Sequence, residues 1–397
     1  MKQTGAIMFR KLVLSLCVLP GFFLSSVPAA YGNEPAGSRI AAGATHSLYV
    51  DPEGQLWAWG NVTDGRTKTV VPVKIMDKVN TVSAATDISY SFALKKDGTL
   101  WGWGDNYFGQ IAPRHGDTDT WISRPVRVLD EVTLVEAGNT TPFAIRKDNS
   151  LWGWGAPGMR RGDLLPLNTS VPMKVLDNVV MTSSSVSHTI AIDKDNTFWG
   201  WGDNRCPDVP YRRHKPVRVD LAPMGGRKIV SIANTMGQSF AVAADGTLWQ
   251  WGADRKQHRA CLTDRAIHPV RMKNIDQVKT ISAGKDYLLI LKKDGTVWSW
   301  NWMQQSPEKA RKAPAYRQIP LTGILEISAG DHHFLALKKD GTVWACGANR
   351  NGQLGNGTTA YSDVPVKVAF PSIPKPLLRL NAVYTAGYAF PLLVLFL

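Results

Sequence analysis

The clearest pattern along the chain is an apolar run, a polar turn, and a second run in which large apolar residues alternate with small ones. Leu94 to Gly104 shows it: Leu-Lys-Lys-Asp-Gly-Thr-Leu-Trp-Gly-Trp-Gly. Period two is the period of a β-strand, so Trp101 and Trp103 leave the same face. Asp97-Gly98 predicts a two-residue type I′ hairpin turn, because Gly and Asp tolerate positive φ. The unit recurs, with turns at Glu53-Gly54, Asp148-Asn149, Asp195-Asn196, Asp245-Gly246, Asp294-Gly295 and Asp340-Gly341. The alternating positions hold Trp57/Trp59, Trp101/Trp103, Trp152/Trp154, Trp199/Trp201, Trp249/Trp251, Trp298/Trp300, and Trp344 with Cys346. These are thirteen of the fifteen tryptophans, and the first of each pair are 44, 51, 47, 50, 49 and 46 residues apart. Self-similarity at that period predicts a repeat architecture before any single element is considered.

The rest of each unit is as regular. A short apolar strand such as Ile324-Leu-Glu-Ile327 leads into a small-residue corner, as at Ala42-Gly43 or Ala329-Gly330. By alignment on the hairpins, Asp87, Ser185 and Thr235 stand at the corner glycine in three repeats. A second strand, the hairpin, the Trp strand and a variable loop follow, and a Pro-led segment such as Pro72-Val-Lys-Ile75 or Pro365-Val-Lys-Val368 closes the unit. Proline cannot donate to a ladder, so that segment belongs at a sheet edge. Four short strands per unit with one edge outward describe a propeller blade. The expected fold is an all-β, seven-bladed β-propeller over residues 33–376. Trp57, Trp101, Trp152, Trp199, Trp249, Trp298 and Trp344 are its structural blade positions, wedged between blades. A sugar-stacking role for these rings is the weaker reading.

This grammar resembles the regulator-of-chromosome-condensation repeat family. The resemblance is carried by Ala329-Gly-Asp-His-His-Phe-Leu-Ala-Leu-Lys-Lys-Asp-Gly-Thr-Val-Trp344, by Asn349-Arg-Asn-Gly-Gln-Leu-Gly355, and by its echo Asn106-Tyr-Phe-Gly-Gln110. It covers about residues 39–370 and implies a seven-bladed propeller. Members of the family include a nuclear guanine-nucleotide exchange factor and a secreted bacterial inhibitor of β-lactamases, so the scaffold does not name the function. Loop Asp105 to Ser123 matches nothing of the exchange factor's wedge, and no functional residue carries over.

Residues 1–30 read as a secretory signal: Lys2, Arg10 and Lys11, then apolar Leu12 to Leu24, then small residues at Val27 to Ala30. The expected location is therefore outside the cytoplasm, in the secreted bacterial branch of the family. Cys206, Cys261 and Cys346 then remain, too sparse for a disulfide framework. Cys346 reads as a buried small hydrophobe, and a Cys206–Cys261 bridge stays open. Residues 377–397 form an apolar tail resembling the opening of an eighth repeat. It fits a closing strand on the first blade, a truncated repeat or a short hydrophobic tail.

No nucleophile elbow, phosphate-binding glycine loop or zinc spacing occurs. His46, His188 and His333 occupy a repeat position held elsewhere by Tyr90, Thr141, Gln238 and Tyr287, so the position reads as structural. The formal charge is +14. In the loops 156–170, 203–215, 253–267 and 301–317, fourteen Lys/Arg face six Asp/Glu, whereas the other three loops carry four against five. Repeat symmetry puts equivalent loops on one side of the disc, so the charge predicts a basic sector that steers acidic partners. The candidate partner-binding residues are Arg160, Arg161, Arg212, Arg213, Arg255, Lys256, Arg259, Lys309, Arg311 and Lys312, with the aromatics Tyr107, Trp121, Tyr211 and Trp302. Aromatics beside arginines match the composition of binding hot spots.

The sequence thus points to a secreted, monomeric, non-catalytic propeller without metal or cofactor. Its expected partner is a protein, with an acidic extracellular enzyme in first place. The alternative is an anionic envelope polymer or polysaccharide. Nucleic acid is not the expected partner.

Overall fold

The computed structural model describes residues 37–62, 68–113, 120–155, 169–202, 213–252, 268–300 and 316–371. The expected signal, the tail 377–397, Cys206 and Cys261 lie outside them. Seven four-stranded antiparallel sheets form a ring, each built from consecutive strands. The blades occupy 40–76, 79–129, 132–176, 179–218, 229–271, 278–319 and 324–367. Blade 7 shows the plan: inner strand Ile324–Ala329, then His333–Lys338, the Trp strand Val343–Gly347, and the Pro-containing outer strand Ser362–Lys367. Register shifts opposite the outer strands coincide with the prolines, as between Ala58 and Gly60 facing Pro72.

The hairpin turns differ from the expected type I′. Gly98 N donates to Lys95 O at 3.0 Å and Lys95 N to Thr99 O at 3.0 Å, which closes a three-residue loop. Gly98 has φ of 86°, but Asp97 is not in the positive-φ region. The arrangement is a type I turn followed by a left-handed residue. The same left-handed place is filled by Gly54, Asn149, Asn196, Gly246, Gly295 and Gly341. Asp97 earns its place through its side chain: Oδ1 accepts from Thr99 N at 2.9 Å and Thr99 Oγ1 at 2.7 Å. Thr99 Oγ1 then accepts from Trp101 Nε1 at 2.9 Å. Blades 3, 5, 6 and 7 repeat this relay. In blades 1 and 4 the carboxylates of Asp51 and Asp193, at the start of the loop, take the indole N–H directly.

The tryptophan pairs lie between blades as expected, but the two members are not equivalent. Trp59, Trp103, Trp154, Trp201 and Trp251 are fully buried against the preceding blade. The first tryptophans sit nearer the hairpin face, and several carry a cation over the ring, with Lys95 Nζ 4.2 Å from the Trp101 centroid. Cys346, 2% exposed, fills the second place in blade 7.

Among the described residues, blade 1 has four strands of its own, and the first and last blades meet by packing. Phe370 seats against Tyr49, Trp57 and Trp59 at centroid distances of 5.3–5.9 Å. Beside it, Glu326 of blade 7 accepts from Ser38 Oγ at 3.0 Å, Arg39 N at 2.9 Å and Arg39 Nε at 3.0 Å. Among the described residues the inner strands have no further strand to pair with, and side chains of the preceding blade take up part of their N–H groups. Ser83 Oγ accepts from Ala137 N, Ser183 Oγ from Asn234 N, Ser282 Oγ from Ala329 N and Ser328 Oγ from Ala42 N, at 2.9–3.1 Å. In blade 3 the Glu136 carboxyl replaces the serine and accepts from Ser184 N.

The histidine position is also an inter-blade tie. Nε2 of His46, His188 and His333 lies 2.7, 2.7 and 2.8 Å from Ser91, Ser239 and Ser47 Oγ of the following blade. In blades 2 and 6 a tyrosine does the same work, Tyr90 donating to Ala137 O and Tyr287 to Gly330 O. Burial pushes the imidazoles down, to about 4 for His46 and His188 and about 3 for His333.

Candidate functional site

Each blade has two ends. One carries the hairpin and the connection to the next blade. The other carries the corner between the first and second strands, and the Trp strand ends beside it: Asn61 N donates to Thr45 O at 3.0 Å, Asp105 N to Ser89 O at 2.9 Å and Ala348 N to His332 O at 2.8 Å. The variable loops leave from this corner face, so the sequence-based placement of all of them on one side of the disc holds at the strand ends. Arg160, Arg161, Tyr211, Arg212, Arg255, Lys256, Arg259, Trp302, Lys309, Arg311 and Lys312 lie outside the described residues. Arg213 opens the outer strand of blade 4, opposite Gly202.

Tyr107 and Trp121 both adjoin Asp105 at the end of blade 2. Trp121 pairs across from Asp105, and Tyr107 N donates to Asp105 Oδ1 at 2.9 Å. Tyr107 is 48% exposed and meets Phe108 edge-on at 4.9 Å. The loop beneath is rigidly built. Asn106 Oδ1 accepts from Ile111 N at 2.9 Å, Gln110 Oε1 accepts from Phe108 N at 2.8 Å, and Gln110 O accepts from Trp154 Nε1 of blade 3 at 2.9 Å.

Blade 7 contains the same pedestal. Asn349 Oδ1 accepts from Leu354 N at 2.9 Å, Gln353 Oε1 from Asn351 N at 2.9 Å, and Gln353 O from Trp59 Nε1 of blade 1 at 2.8 Å. Gly109 and Gly352 both take positive φ, 69° and 82°. The two places that hold Tyr107 and Phe108 in blade 2 hold Arg350 and Asn351 in blade 7. The pedestal therefore does not require aromatic residues at those places.

Sequence reasoning missed the centre of this face. The first-to-second-strand corner of blade 2 is longer than the others: Ala85 N donates to Tyr90 O, five positions on, whereas Gly43 N donates to His46 O, three on. Ala85, not Asp87, is thus the structural counterpart of the corner glycine, and Asp87 belongs to an insertion over the channel. Lys285 Nζ of blade 6 lies 3.0 Å from Asp87 Oδ1 and 3.8 Å from Asp331 Oδ1 of blade 7. Asn139 Nδ2 of blade 3 donates to Asp87 Oδ2 at 2.6 Å. The only signal available in the chain was the extra spacing before Tyr90.

Sequence and structure comparisons agree with this architecture. Profiles described as the regulator of chromosome condensation (RCC1) repeat match residues 88–110, 324–353 and 340–374. No curated protein matches the chain in sequence. Among solved structures, the chain is similar to human WBSCR16, with 20% identity and a TM-score of 0.64 over 77% of this chain and 86% of that one. It is similar to Prp20p from Saccharomyces cerevisiae, with 18% identity and a TM-score of 0.65 over 81% and 87%. It is also similar to the CRINKLY ectodomain of the Arabidopsis thaliana receptor kinase ACR4, with 14% identity and a TM-score of 0.51 over 84% and 98%. At such identities the structural likeness concerns the fold alone. The repeat matches, in a ring whose blades all share one strand grammar, make this chain an RCC1-type repeat protein.

Proposed function

We propose that this chain is a non-catalytic protein-binding propeller that works outside the cytoplasm and docks its partner on the corner face. The observation that carries the reading is the pair of equivalent pedestals. Both share the Asn and Gln hydrogen bonds, with Asp105 bracing the blade 2 loop further, yet one presents an exposed Tyr107 beside Phe108 and the other presents Arg350 and Asn351. A rigidly held aromatic that the fold does not need is the composition of an interface anchor. The excess of Lys/Arg in the loops on the same side supports an acidic partner, and inhibition of an acidic extracellular enzyme fits both features. Prp20p, whose structure was described together with its binding properties to Gsp1p and histones, shows that this fold can serve as a binding surface.

The test is capture from secreted and envelope extracts at low and high salt. The intact protein is compared with Tyr107→Ala/Phe108→Ser and with the matched control Arg350→Ala/Asn351→Ala. A discrete protein retained in high salt, lost with the first variant and kept with the second, is the expected result. Heterogeneous anionic polymer, released by salt and indifferent to Tyr107, would favour the polyanion reading carried by the fourteen loop cations. Turnover of a model glycoside or ester by the purified protein would remove the non-catalytic reading.

A further inference from the structure

Strand packing in this ring runs within blades and between neighbours. The ion pair between Lys285 and Asp87 departs from that rule, because blades 6 and 2 stand on opposite sides of the channel. Both residues lie at one end of a central cavity of about 560 Å³ lined by the inner strands. The carboxylates of Asp87 and Asp331 are each only 15% exposed. The backbone around the pair is tied down as well. Ala44 N donates to Ala85 O at 2.9 Å and Met236 N to Lys285 O at 3.0 Å, so the corners on either side of the channel are braced by their neighbours.

We propose that Lys285 and the lengthened corner of blade 2 form a latch that shuts the corner-side mouth of the central channel. The insertion carries Asp87 over the opening, Asn139 orients its second oxygen, and Lys285 reaches across from the far side. Asp331 supports the ammonium from blade 7, with His332 Nε2 3.4 Å from its other oxygen and Asp286 adjacent in sequence. A pair bridging opposite blades cannot form without spanning the opening, and separating it uncovers the cavity below. This gate is independent of the partner-docking reading, because it concerns access to the channel rather than the loops.

The test places a thiol inside the channel. Ala84, on the inner strand of blade 2, lines the cavity and is half-buried. Ala84→Cys is made in the full chain with Cys17, Cys206 and Cys261 changed to Ser. Cys346 is silent there, buried with its thiol pushed up to about 12. The rate of N-ethylmaleimide labelling is compared with Lys285 intact, Lys285→Met, Lys285→Arg and Asp87→Asn, with near-ultraviolet circular dichroism confirming the fold. At least tenfold faster labelling in Lys285→Met and Asp87→Asn, with Lys285→Arg remaining slow, is the expected result. Equal rates in all four would overturn the latch, including the case in which reagent enters by the opposite mouth. Should Lys285→Met fail to fold, Asp87→Asn against Lys285→Arg decides the question alone.

Discussion

Replacing Glu326 by alanine tests how the ring is closed. Its side chain is 8% exposed and takes three hydrogen bonds from Ser38 and Arg39, two of them from Arg39 itself. Breaking a buried ion pair from one side costs about 3–5 kcal/mol, since the surviving charge is left without its partner. Arg39 is 31% exposed, so water recovers part of that loss and the lower end, about 3 kcal/mol, applies. For a ring of this size, unfolding entropy near 2.1 cal/mol/K per residue translates this into a fall in Tm of roughly 4–5 °C. Calorimetry and urea unfolding of Glu326→Ala, Arg39→Ala and the double variant supply the check. The double variant should be less destabilised than the sum of the singles by at least about 1.5 kcal/mol, because the first change already removes the contact. Additivity within about 0.5 kcal/mol, or a loss below about 0.5 kcal/mol for Glu326→Ala, would refute the claim that this contact clasps the first blade to the last.

Four further outcomes follow from the geometry. The folded imidazoles of His46, His188 and His333 sit below an unfolded value near 6.5, so their contribution is complete above that pH and declines as pH falls toward 4, by roughly 3 kcal/mol apiece. The urea midpoint should drop steeply between pH 7 and 5, and His188→Gln, which copies Gln238 of blade 5, should flatten the slope; a flat wild-type profile speaks against it. Glu136 shows the opposite sign, since burial raises its carboxyl to about 8, and stability is lost as pH rises from about 4.5 through that value. Glu136→Gln should match the parent at pH 4.5 and exceed it at pH 8.5 by on the order of 4 kcal/mol in urea unfolding. Trp154→Ala should cost about 3–5 kcal/mol and Trp101→Ala, at the half-buried margin, about half as much; equal losses would contradict the asymmetry within the pairs. Gly98→Asn should stay within about 0.5 kcal/mol, as Asn149 and Asn196 hold the same conformation, whereas Gly104→Ala, with φ of 107° and a Cβ 2.3 Å from Ser89 O, should lose more than about 2 kcal/mol by thermal melting.

The local plan of every blade was legible in the chain. Alternating tryptophans, Asp-Gly turns and Pro-led edges are encoded by neighbours a few residues apart, and seven copies of one pattern left little freedom in the fold class. Even the structural role of the histidine position could be read, because His46, Tyr90 and Gln238 substitute for one another within one molecule. The pedestal was also visible as a motif, Asn106 to Gln110 echoing Asn349 to Gln353, though not the fact that the two share their Asn and Gln hydrogen bonds while only Tyr107 of blade 2 is an exposed aromatic.

What the sequence left open depends on residues far apart along the chain. The turn type is the one local exception: Asp-Gly suits both a two-residue type I′ loop and the three-residue loop the backbone adopts, so composition alone did not choose between them. The inequality of the two tryptophans arises from the distance of each from the seam centre, which the preceding blade sets. The clasp of Arg39 with Glu326 and the pair of Lys285 with Asp87 exist only once the ring is closed. Before closure these charges are solvated and separated, and nothing in their local sequence distinguishes them from other surface residues. Repetition therefore determined the blade and the blade count, while ring closure decided which charges meet and where the channel is shut, because those contacts form between segments that only the complete circle brings together.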